Sequence, residues 1–488
     1  MSKVYEALTD AEMESFAEIG ERQLAPPTKQ FKLSELGNAE RLVARHGNDI
    51  RYCHTWNKWL VWTGIHWKID DTGEVERRAK DTVRSMYAEA AQIADEDHRA
   101  ALAKHAARSE SNRAIAAMIE LAKSEPGIPV TSDTMDSDVW LLNCKNGTLD
   151  LRTGKLKTHD RKDFITKLIS VEYDPIADCV EWMQFLNRIM DGKQDLITFL
   201  QRAIGYSLTG STREQCLFIL YGNGANGKSV LVNAISNLLC EYAQQTPTDT
   251  LMAKDTSGIS NDIARLKGSR FVVASEVEEG KRMAESLIKS MTGGEKLTAR
   301  FMRAEYFEFD PTFKLWISSN HKPVIKGTDT GIWRRIKLIP FTVTIPPEER
   351  DKSLSEKLRA KLPGILAWAV EGCQEWLRGG LGEPEEVKAA TDGYKNEMDV
   401  ISRFISDCCT VNTSQTTRSQ KLYKTYVDWC KQNGEYELSQ TKFSLRLVEK
   451  GFTKESTRAC VMWHNIAILE ESEEDDNPFI NKKCGGLG

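Results

Sequence analysis

Eight residues near the middle of the chain, GNGANGKS, have the types and the spacing of a loop that binds phosphate. Glycines allow backbone N–H groups to turn toward phosphate oxygens, and a helix that starts here adds its partial positive charge. The lysine reaches the outer phosphates of a nucleoside triphosphate, and the following hydroxyl is a ligand for Mg²⁺. The predicted nucleotide-binding residues are Gly222, Asn223, Gly224, Ala225, Asn226, Gly227, Lys228, Ser229 and Val230, with Ser229 also a metal ligand.

The elements beside this loop are those that a phosphate loop requires. CLFIL, 216–220, is a short apolar run that predicts a buried strand, and KSVLVNAISNLLCEYA, 228–243, predicts the helix that follows. Kinases, transport ATPases, GTPases and helicases all use such a loop, so the reaction must be decided by other residues.

Two further apolar strands are predicted to end in polar side chains. Glu276 follows the strand in SRFVVASEVEEG, 269–280, and is a candidate for the Mg²⁺ ligand or for the catalytic base. Glu278 lies two residues later, on the same face if the strand continues, and is a second candidate for the base. Asn320, at the end of FKLWISSN, could orient the attacking water. The alternative for both glutamates is a strand end in solvent.

An arginine pair, Arg334 and Arg335, precedes another apolar strand in GIWRRIKLIPF, 331–341. Either guanidinium could enter the nucleotide site of a neighbouring subunit and neutralise charge on the γ-phosphate. Such an arginine finger would imply that the protein works as a ring. The alternative is that an arginine pairs with a carboxylate of its own domain.

The segment between the second and third predicted strands is basic. From Lys281 to Arg303 it has six basic residues against two acidic ones, and Gly293-Gly294 predicts a turn that lets it project. In a ring these projections would line a pore and follow a phosphate backbone, with Phe301 stacking on bases. A solvated hairpin is the alternative. The predicted DNA contacts are Lys289, Lys296, Arg300 and Arg303.

Upstream of the loop, the patterns predict a mixed region rich in helices. Thr9 and Glu12 fit a capping box at a helix start. The aromatic alternation at 56–70 predicts a hairpin whose tryptophans are core residues, and helices follow it. Short strands with Asn-Gly and Thr-Gly turns return at 139–160.

The C-terminal part predicts two helices and then a strand pair at 419–468, an order that suits a winged helix. Its second helix carries Lys442, Arg446 and Lys450 at a spacing of four, which suits DNA contact, although a packing or protein-contact module is equally open. The acidic run EESEEDDNPFI, 470–480, looks like the Pro-Phe tip of bacterial single-stranded-DNA-binding proteins; the alternative is a solvated tail.

Composition bounds these interpretations. At 488 residues, 40% apolar and 28% charged, the chain predicts a soluble, cytoplasmic protein of several domains that has no membrane partner. A net charge of −5 argues against a uniformly basic nucleic-acid binder. The 11 cysteines lack paired spacing and indicate reduced thiols.

These motifs together resemble a known family. LYGNGANGKS, FVVASEVEEG, LIKSMTGGEKLTAR, FKLWISSNHKP and GIWRRIKLIPF look like the ATPase core of superfamily 3 helicases of the phage/plasmid and poxvirus-type primase-helicase group. The preceding LLNCKNGTLDLRTG and YDP resemble the helical domain that precedes this core in the group.

The resemblance implies a hexameric, ATP-driven DNA helicase of modified AAA+ fold that moves 3′ to 5′. By matching motif positions, Lys228 and Ser229 would be the Walker A pair, Glu276 the Walker B acid and metal ligand, and Asn320 the sensor. Other members place two Walker B acids side by side, whereas Val277 separates Glu276 from Glu278 here. Residues 1–44 are too short for the primase domain of many relatives, so we expect no primer synthesis by this chain.

The fold expected is multidomain α/β, with an AAA+-type P-loop ATPase core between a mainly helical domain and a winged-helix-like domain. The expected partners are single-stranded and forked DNA, copies of the same chain in a hexamer, and a separate primase or single-stranded-DNA-binding protein. We expect a replicative helicase of a phage, prophage or mobile element, in the host cytoplasm; the alternative is an origin-binding loader or remodeller. The expected segments are 1–44 (N-terminal segment and linker), 45–204 (helical domain), 205–380 (ATPase), 381–469 (winged helix) and 470–488 (tail).

Overall fold

The computed structural model describes residues 31–253, 261–301, 305–327, 329–413, 415–456 and 460–469. The predicted capping box at Thr9 and Glu12, the predicted DNA contact Arg303 and the acidic segment 470–488 lie outside these ranges. Within them, no helix is both long enough and apolar enough to cross a membrane. The described part is a multidomain α/β structure with one five-stranded parallel sheet and several smaller sheets.

The first region packs four helices against a small sheet of strand order β3-β2-β1-β4. Ser34, Asp95 and Ser111 cap three of these helices, because each side chain accepts a hydrogen bond from a backbone N–H in the first turn. The predicted aromatic hairpin is confirmed; of its tryptophans, Trp67 is fully buried, whereas Trp56, Trp59 and Trp62 are half-buried. The elements are α1 (Glu35–His46), β1 (Ile50–Cys53), β2 (Lys58–Trp62), β3 (Trp67–Ile69), α2 (Glu74–Ala91), α3 (Glu96–Ser109), α4 (Asn112–Ala122) and β4 (Pro129–Val130).

A three-stranded antiparallel sheet and two helices lead from this region to the phosphate loop. The predicted hairpin is confirmed, although its tight turn consists of Lys145 and Asn146, and Gly147 begins the second strand opposite Cys144. The elements are β5 (Leu141–Cys144), β6 (Gly147–Asp150), β7 (Lys155–Lys157), α5 (Val180–Ile189) and α6 (Gln194–Leu208).

The central sheet has the strand order β14-β8-β13-β10-β9, and all its strands run parallel. Its apolar strands are buried, as parallel sheets covered on both faces require. Because the strands are parallel, their C-terminal ends share one edge, here named the carboxyl edge, and their N-terminal ends share the opposite one, the amino edge. The strands are β8 (Leu217–Tyr221), β9 (Ala243–Gln245), β10 (Phe271–Ser275), β13 (Lys314–Ser319) and β14 (Ile336–Pro340).

Between β10 and β13 the chain leaves this sheet and forms a helix and a two-stranded antiparallel unit. The helix ends at Gly293, and Gly294 takes the left-handed conformation with φ +79°, so the predicted turn is confirmed. We name β11, β12 and the described residues between them the hairpin. The elements around the sheet are α7 (Lys228–Leu239), α8 (Asn261–Ala264), α9 (Glu285–Gly293), β11 (Leu297–Ala299), β12 (Phe307–Phe309) and α10 (Thr330–Trp333).

Three helices follow the central sheet: α11 (Leu354–Ala360), α12 (Leu362–Gly379) and α13 (Glu385–Met398). The second packs closely along α6 because glycines remove side chains at the crossing. A Cβ on Gly205 would lie 2.1 Å from the backbone N of Cys373, and one on Gly372 would lie 2.2 Å from the carbonyl oxygen of Gln201. The sheet and the helices that precede and follow it therefore share one buried core.

The last region has its own core, in which Phe404, Tyr426 and Trp463 are fully buried. The predicted order of two helices followed by a strand pair is confirmed, since β17 and β18 are antiparallel. The elements are α14 (Val400–Cys408), β15 (Cys409–Thr410), β16 (Thr416–Arg418), α15 (Ser419–Asn433), α16 (Gln440–Glu449), β17 (Thr453–Ser456), β18 (Val461–His464) and β19 (Ala467–Ile468).

Candidate functional site

The phosphate loop joins the carboxyl end of β8 to the start of α7, as the sequence predicted. Gly227 has φ +87°, and a Cβ there would lie 2.5 Å from Cγ2 of Ile189. A Cβ on Gly222 would lie 2.2 Å from the carbonyl oxygen of Phe341. These two glycines are therefore required by close packing of the loop against α5 and the chain after β14.

Lys228 begins α7, and only 5% of its surface is exposed. Its Nζ donates to the carbonyl oxygen of Gly222 and lies 3.4 Å from that of Asn223, 3.3 Å from Oδ1 of Asn226 and 3.0 Å from Oδ1 of Asn320. All four acceptors are neutral oxygens, and burial lowers the pKa of the ammonium group. A buried cation held only by dipoles attracts an anion strongly, which is the property a phosphate site needs.

The structure brings the predicted Glu276 and Asn320 to the same cavity as the phosphate loop. The cavity, of about 510 Å³, lies at the carboxyl edge and is lined by both residues together with Lys228 and Ser229. Strand β10 ends at Ser275, and Glu276 takes a left-handed backbone with φ +64° while its N–H donates to the carbonyl oxygen of Ser318 at 2.9 Å. A non-glycine residue in that conformation is strained, and such strain is concentrated at functional sites.

Glu278 does not line the cavity. The sequence placed it on the face of Glu276 only if the strand continued, and the strand instead ends at Ser275. The side chain of Glu278 is 77% exposed and lies 3.2 Å from Nζ of Lys281. The structure therefore separates the two glutamates that the sequence could not distinguish.

Five residues of this cavity were not predicted from the sequence: Ser275, Val277, Ser318, Ser319 and His321. The backbone N–H of His321 donates to Oγ of Ser319 at 3.0 Å, which turns the chain immediately after Asn320. Serines at strand ends are too common to be a signal. Adjacency to Glu276 and Asn320 was the only indication available.

The two arginines that precede β14 occupy different environments. Arg335 is 9% exposed, and its guanidinium donates to Oγ1 of Thr292 at 3.1 Å and to the carbonyl oxygen of Gly331 at 2.5 Å. Burial, followed by the charge of Arg334, lowers the pKa of Arg335. Arg334 is exposed and donates to Oε1 of Gln215 at 3.1 Å.

Both arginines lie at the amino edge, whereas the phosphate loop follows the carboxyl end of the adjacent strand β8. Because β8 has five residues, the two edges are roughly 16 Å apart at about 3.3 Å per residue. That separation exceeds the length of an arginine side chain. Neither arginine therefore belongs to the cavity of its own chain.

Two of the predicted DNA contacts lie on the hairpin or directly before it. Lys296 and Arg300 are exposed on either side of β11, and the guanidinium of Arg300 lies 4.8 Å from the ring centre of Tyr306. Phe301 and Tyr306 are 46% and 55% exposed. Cations therefore occur beside exposed aromatic rings, a combination that suits a nucleic-acid backbone and its bases.

Lys289 stands apart from the hairpin. It lies on α9, and its Nζ is 3.0 Å from a carboxylate oxygen of Asp329. The hydrogen bond from Lys289 lowers the pKa of Asp329, and the carboxylate partly neutralises the charge of the lysine. Of the three predicted DNA contacts that the structure describes, Lys289 is therefore the least available.

The predicted basic face of α16 is largely occupied within the chain. Arg446 donates to the carbonyl oxygen of Lys326 at 3.2 Å, and Lys450 donates to Asp399 and Ser402. Lys442 is exposed. A cavity of about 670 Å³ separates this face from α10 and α13. In this arrangement Arg446 joins α16 to the ATPase region, whereas Lys450 is bonded within the C-terminal region.

Three family models match successive parts of the chain. The family described as "D5 N terminal like" matches residues 39–191, the "Family of unknown function (DUF5906)" matches 220–335, and "Poxvirus D5 protein-like" matches 396–477. The chain thus carries D5-type domains on both sides of the phosphate loop region.

Two curated relatives are viral. A protein named "Putative helicase L207/L206" of Acanthamoeba polyphaga mimivirus is 28% identical over 324 residues, covering 61% of this chain and 34% of that protein. A protein named "Putative primase C962R" of African swine fever virus is 23% identical over 330 residues, covering 62% and 34%. The chain thus spans about a third of the length of these relatives.

A solved structure, the apo C-terminal region of NrS-1, resembles the fold with a TM-score of 0.52 at 12% identity. The match covers 89% of this chain and 99% of that one, so the likeness of fold extends over nearly all of both. The family matches and the viral relatives confirm the resemblance predicted from the motifs: the chain carries D5-type domains that resemble the helicase part of the poxvirus-type primase-helicase family.

Proposed function

We propose that this chain is an ATP-dependent DNA helicase of superfamily 3 that works as a ring. One observation carries the proposal. Lys228, Glu276 and Asn320 meet in one cavity at the carboxyl edge, while Arg334 is exposed at the opposite edge. This arrangement supports a nucleotide site whose two halves lie at opposite edges of the sheet and which two neighbouring subunits would complete.

The residues of the cavity suit a magnesium nucleotide. Ser229 and Glu276 provide a hydroxyl and a carboxylate oxygen on its wall, the ligand types that Mg²⁺ prefers. Bound there, Mg²⁺ would neutralise charge on the β- and γ-phosphates. Lys228 would hold the phosphate oxygens, and Glu276 would also accept the proton of the attacking water. Asn320 would orient that water through its amide.

The ring is a proposal supported by the position of Arg334. An exposed guanidinium at the amino edge is free to enter the site of the next subunit, whereas the buried Arg335 is held by Thr292 and Gly331. We therefore propose Arg334 as the finger, in a hexamer of AAA+ subunits that moves 3′ to 5′. A heterologous contact of this kind closes into a ring when its rotation permits.

Single-stranded DNA would pass along the hairpins in the centre of the ring. Lys296 and Arg300 would contact phosphates, and the exposed rings of Phe301 and Tyr306 would stack on bases.

We also propose that residues 381–469 form a winged-helix module that contacts protein rather than DNA through α16, since Arg446 and Lys450 are bonded within the chain. We propose that the chain comes from a phage, prophage or mobile element, and that it works with a separate primase or single-stranded-DNA-binding protein.

The test is strand displacement on forked DNA with ATP and Mg²⁺. The wild-type chain should unwind a fork with a 3′ tail, and Lys228→Ala should lose both unwinding and ATP hydrolysis. A double substitution, Lys296→Ala with Arg300→Ala, should still hydrolyse ATP without separating strands. Lys289→Ala is the matched control, because that cation is paired with Asp329 and lies away from the hairpin.

A loader or remodeller of other proteins is the second candidate. It is favoured by exposed apolar side chains in the C-terminal region, where Tyr436 is 78% exposed and Leu445 is 59% exposed. ATP hydrolysis that never separates strands, with or without a 3′ tail, would replace the helicase proposal with this one. A helicase should also lose its DNA stimulation as salt weakens phosphate contacts.

A further inference from the structure

Gln215 lies between the proposed finger and the proposed DNA-binding hairpin. It precedes β8 at the amino edge, beside the arginine pair that precedes β14. No motif singled it out in the sequence. Its position relative to Arg334 and to the last turn of α9 appears only in the folded chain.

The backbone of Gln215 is strained. Its φ of +48° is in the left-handed region, which a residue with a Cβ rarely adopts. The N–H of Gln215 donates to the carbonyl oxygen of Thr212 at 2.9 Å, so a tight turn of residues 212–215 holds this conformation. The turn directs a long amide side chain toward two partners at once.

Both polar atoms of the Gln215 side-chain amide form hydrogen bonds. Its Oε1 accepts from the guanidinium of Arg334 at 3.1 Å, and its Nε2 donates to the carbonyl oxygen of Gly293 at 3.4 Å. Gly293 is the last residue of α9, and the hairpin begins four residues later at Leu297. One side chain therefore bridges Arg334 and the base of the hairpin.

The neighbouring arginine makes a second link to the same turn. Arg335 donates to Oγ1 of Thr292, the residue before Gly293. Both members of the arginine pair are thus connected to the C-terminal turn of α9, one directly and one through Gln215. A displacement of Arg334 by a γ-phosphate would be transmitted to the base of the hairpin over these few bonds.

We propose that Gln215 is a positioning residue that couples Arg334 to the hairpin, so that DNA on the hairpin and nucleotide in the neighbouring subunit influence each other. The inference rests on the proposed helicase function and names the contact by which its two sites communicate. The coupling is reciprocal: DNA binding should improve the placement of Arg334, and a triphosphate should change the affinity for DNA.

Two substitutions separate the two ends of the amide. Gln215→Gly removes the side chain and suits the left-handed backbone, so the fold is preserved. Gln215→Glu keeps an acceptor for Arg334 but has no donor for the carbonyl oxygen of Gly293. Asp191→Gly is the matched control, because Asp191 also has a left-handed backbone, with φ +55°, and is exposed between α5 and α6.

The measurement is the ratio of ATP hydrolysis with single-stranded DNA to hydrolysis without it. We expect the ratio to fall by roughly 5- to 10-fold in both Gln215 variants, a usual size for coupling between sites, and to be unchanged in Asp191→Gly. A purely structural role of Gln215 would lower both rates by the same factor and leave the ratio unchanged.

The outcomes distinguish the inference from the function on which it rests. Unchanged ratios in Gln215→Gly, with clear stimulation of the wild type, would overturn the coupling role and leave the helicase proposal standing. A ratio retained in Gln215→Glu alone would show that the bond to Gly293 is not the link. Absence of DNA stimulation in the wild type would overturn both proposals.

Discussion

The positively charged side chains at the two edges of the central sheet have different environments. At the carboxyl edge, the ammonium of Lys228 faces an open cavity beside Glu276 and Asn320. At the amino edge, Arg270 donates to the carbonyl oxygens of Leu208 and Leu141 at 2.7 and 2.6 Å. Lys314 also lies there, donates to the carbonyl oxygen of Thr209 and is fully enclosed. Lys228 therefore faces a candidate ligand site, whereas Arg270 and Lys314 donate to carbonyl oxygens at the ends of helices and strands.

This difference indicates which of the cations are available to bind a ligand. Lys228 also donates to backbone carbonyls, but it lines a cavity that an anion can enter. A cation enclosed among carbonyl oxygens, such as Arg270, is fixed, because moving it would leave those oxygens without donors. Arg334, at the amino edge, differs from Arg270 and Lys314, since it is exposed and contacts a side chain rather than the backbone. Four predictions, from the largest expected effect to the smallest, test this division.

The largest effect should separate Arg334 from Arg335. Replacement of Arg334 by alanine should lower ATP turnover by roughly 10³-fold, the scale of an arginine finger, without changing the unfolding midpoint. The matched Arg335→Ala should instead lower the unfolding midpoint, because it leaves Thr292 and Gly331 without a buried donor.

Mixing variants tests whether Arg334 acts on a neighbouring subunit. Arg334→Ala and Lys228→Ala should each be inactive, and a mixture should regain some turnover because some interfaces contain an intact site. Normal turnover of Arg334→Ala, or no recovery in an assembled mixture, would remove the finger role.

The next effect separates the two glutamates at the carboxyl edge. Glu276→Gln should lower the turnover number for ATP by roughly 10²-fold or more, since a positioned base contributes that much, while nucleotide binding persists. Glu278→Gln should keep a rate close to the wild type, because its carboxylate is exposed and beside Lys281. Equal losses in both variants, measured by steady-state hydrolysis and nucleotide affinity, would contradict the assignment.

At the amino edge, Arg270→Met should destabilise the fold by roughly 2–5 kcal/mol, because two buried carbonyl oxygens lose their donors. Denaturant unfolding measures the change. Arg334→Met is the control of the same edge and should unfold near the wild-type midpoint. Similar unfolding midpoints for Arg270→Met and Arg334→Met would contradict the distinction between enclosed and exposed cations.

The smallest effect concerns pH. Burial, with the charge of Arg270 second, lowers the pKa of Lys314 well below its usual 10.5. Between the folded pKa and 10.5 the unfolded chain binds more protons, so the free energy of unfolding should rise with pH in that window and should lose this contribution below the folded pKa. Lys314→Met should reduce the slope, measured by denaturant unfolding across alkaline pH. The exposed Lys296→Met should leave it unchanged.

Local patterns predicted much of the ATPase region. The strand, phosphate loop and helix around Lys228 have the predicted order, and the turn at Gly293-Gly294 and the strand ends at Glu276 and Asn320 are where the sequence placed them. These features depend on glycine conformations and apolar runs over a few residues, which a sequence displays directly.

The roles within pairs of like residues could not be predicted in the same way. Arg334 and Arg335 are adjacent and chemically identical, and only the packing of α9 buries one and exposes the other. The basic spacing of α16 suited DNA, yet two of its three cations are bonded within the chain. A regular spacing shows that side chains share a face and does not show what that face contacts.

By itself the sequence determined the phosphate loop, the apolar strands beside it, the basic hairpin and the family resemblance, because each depends on short-range spacing. Only the tertiary structure decided that Glu276 and not Glu278 joins Lys228, that Arg334 is exposed, and that Gln215 connects it to the hairpin. Those contacts join segments far apart in the chain, and their partners are set by packing that no local pattern contains.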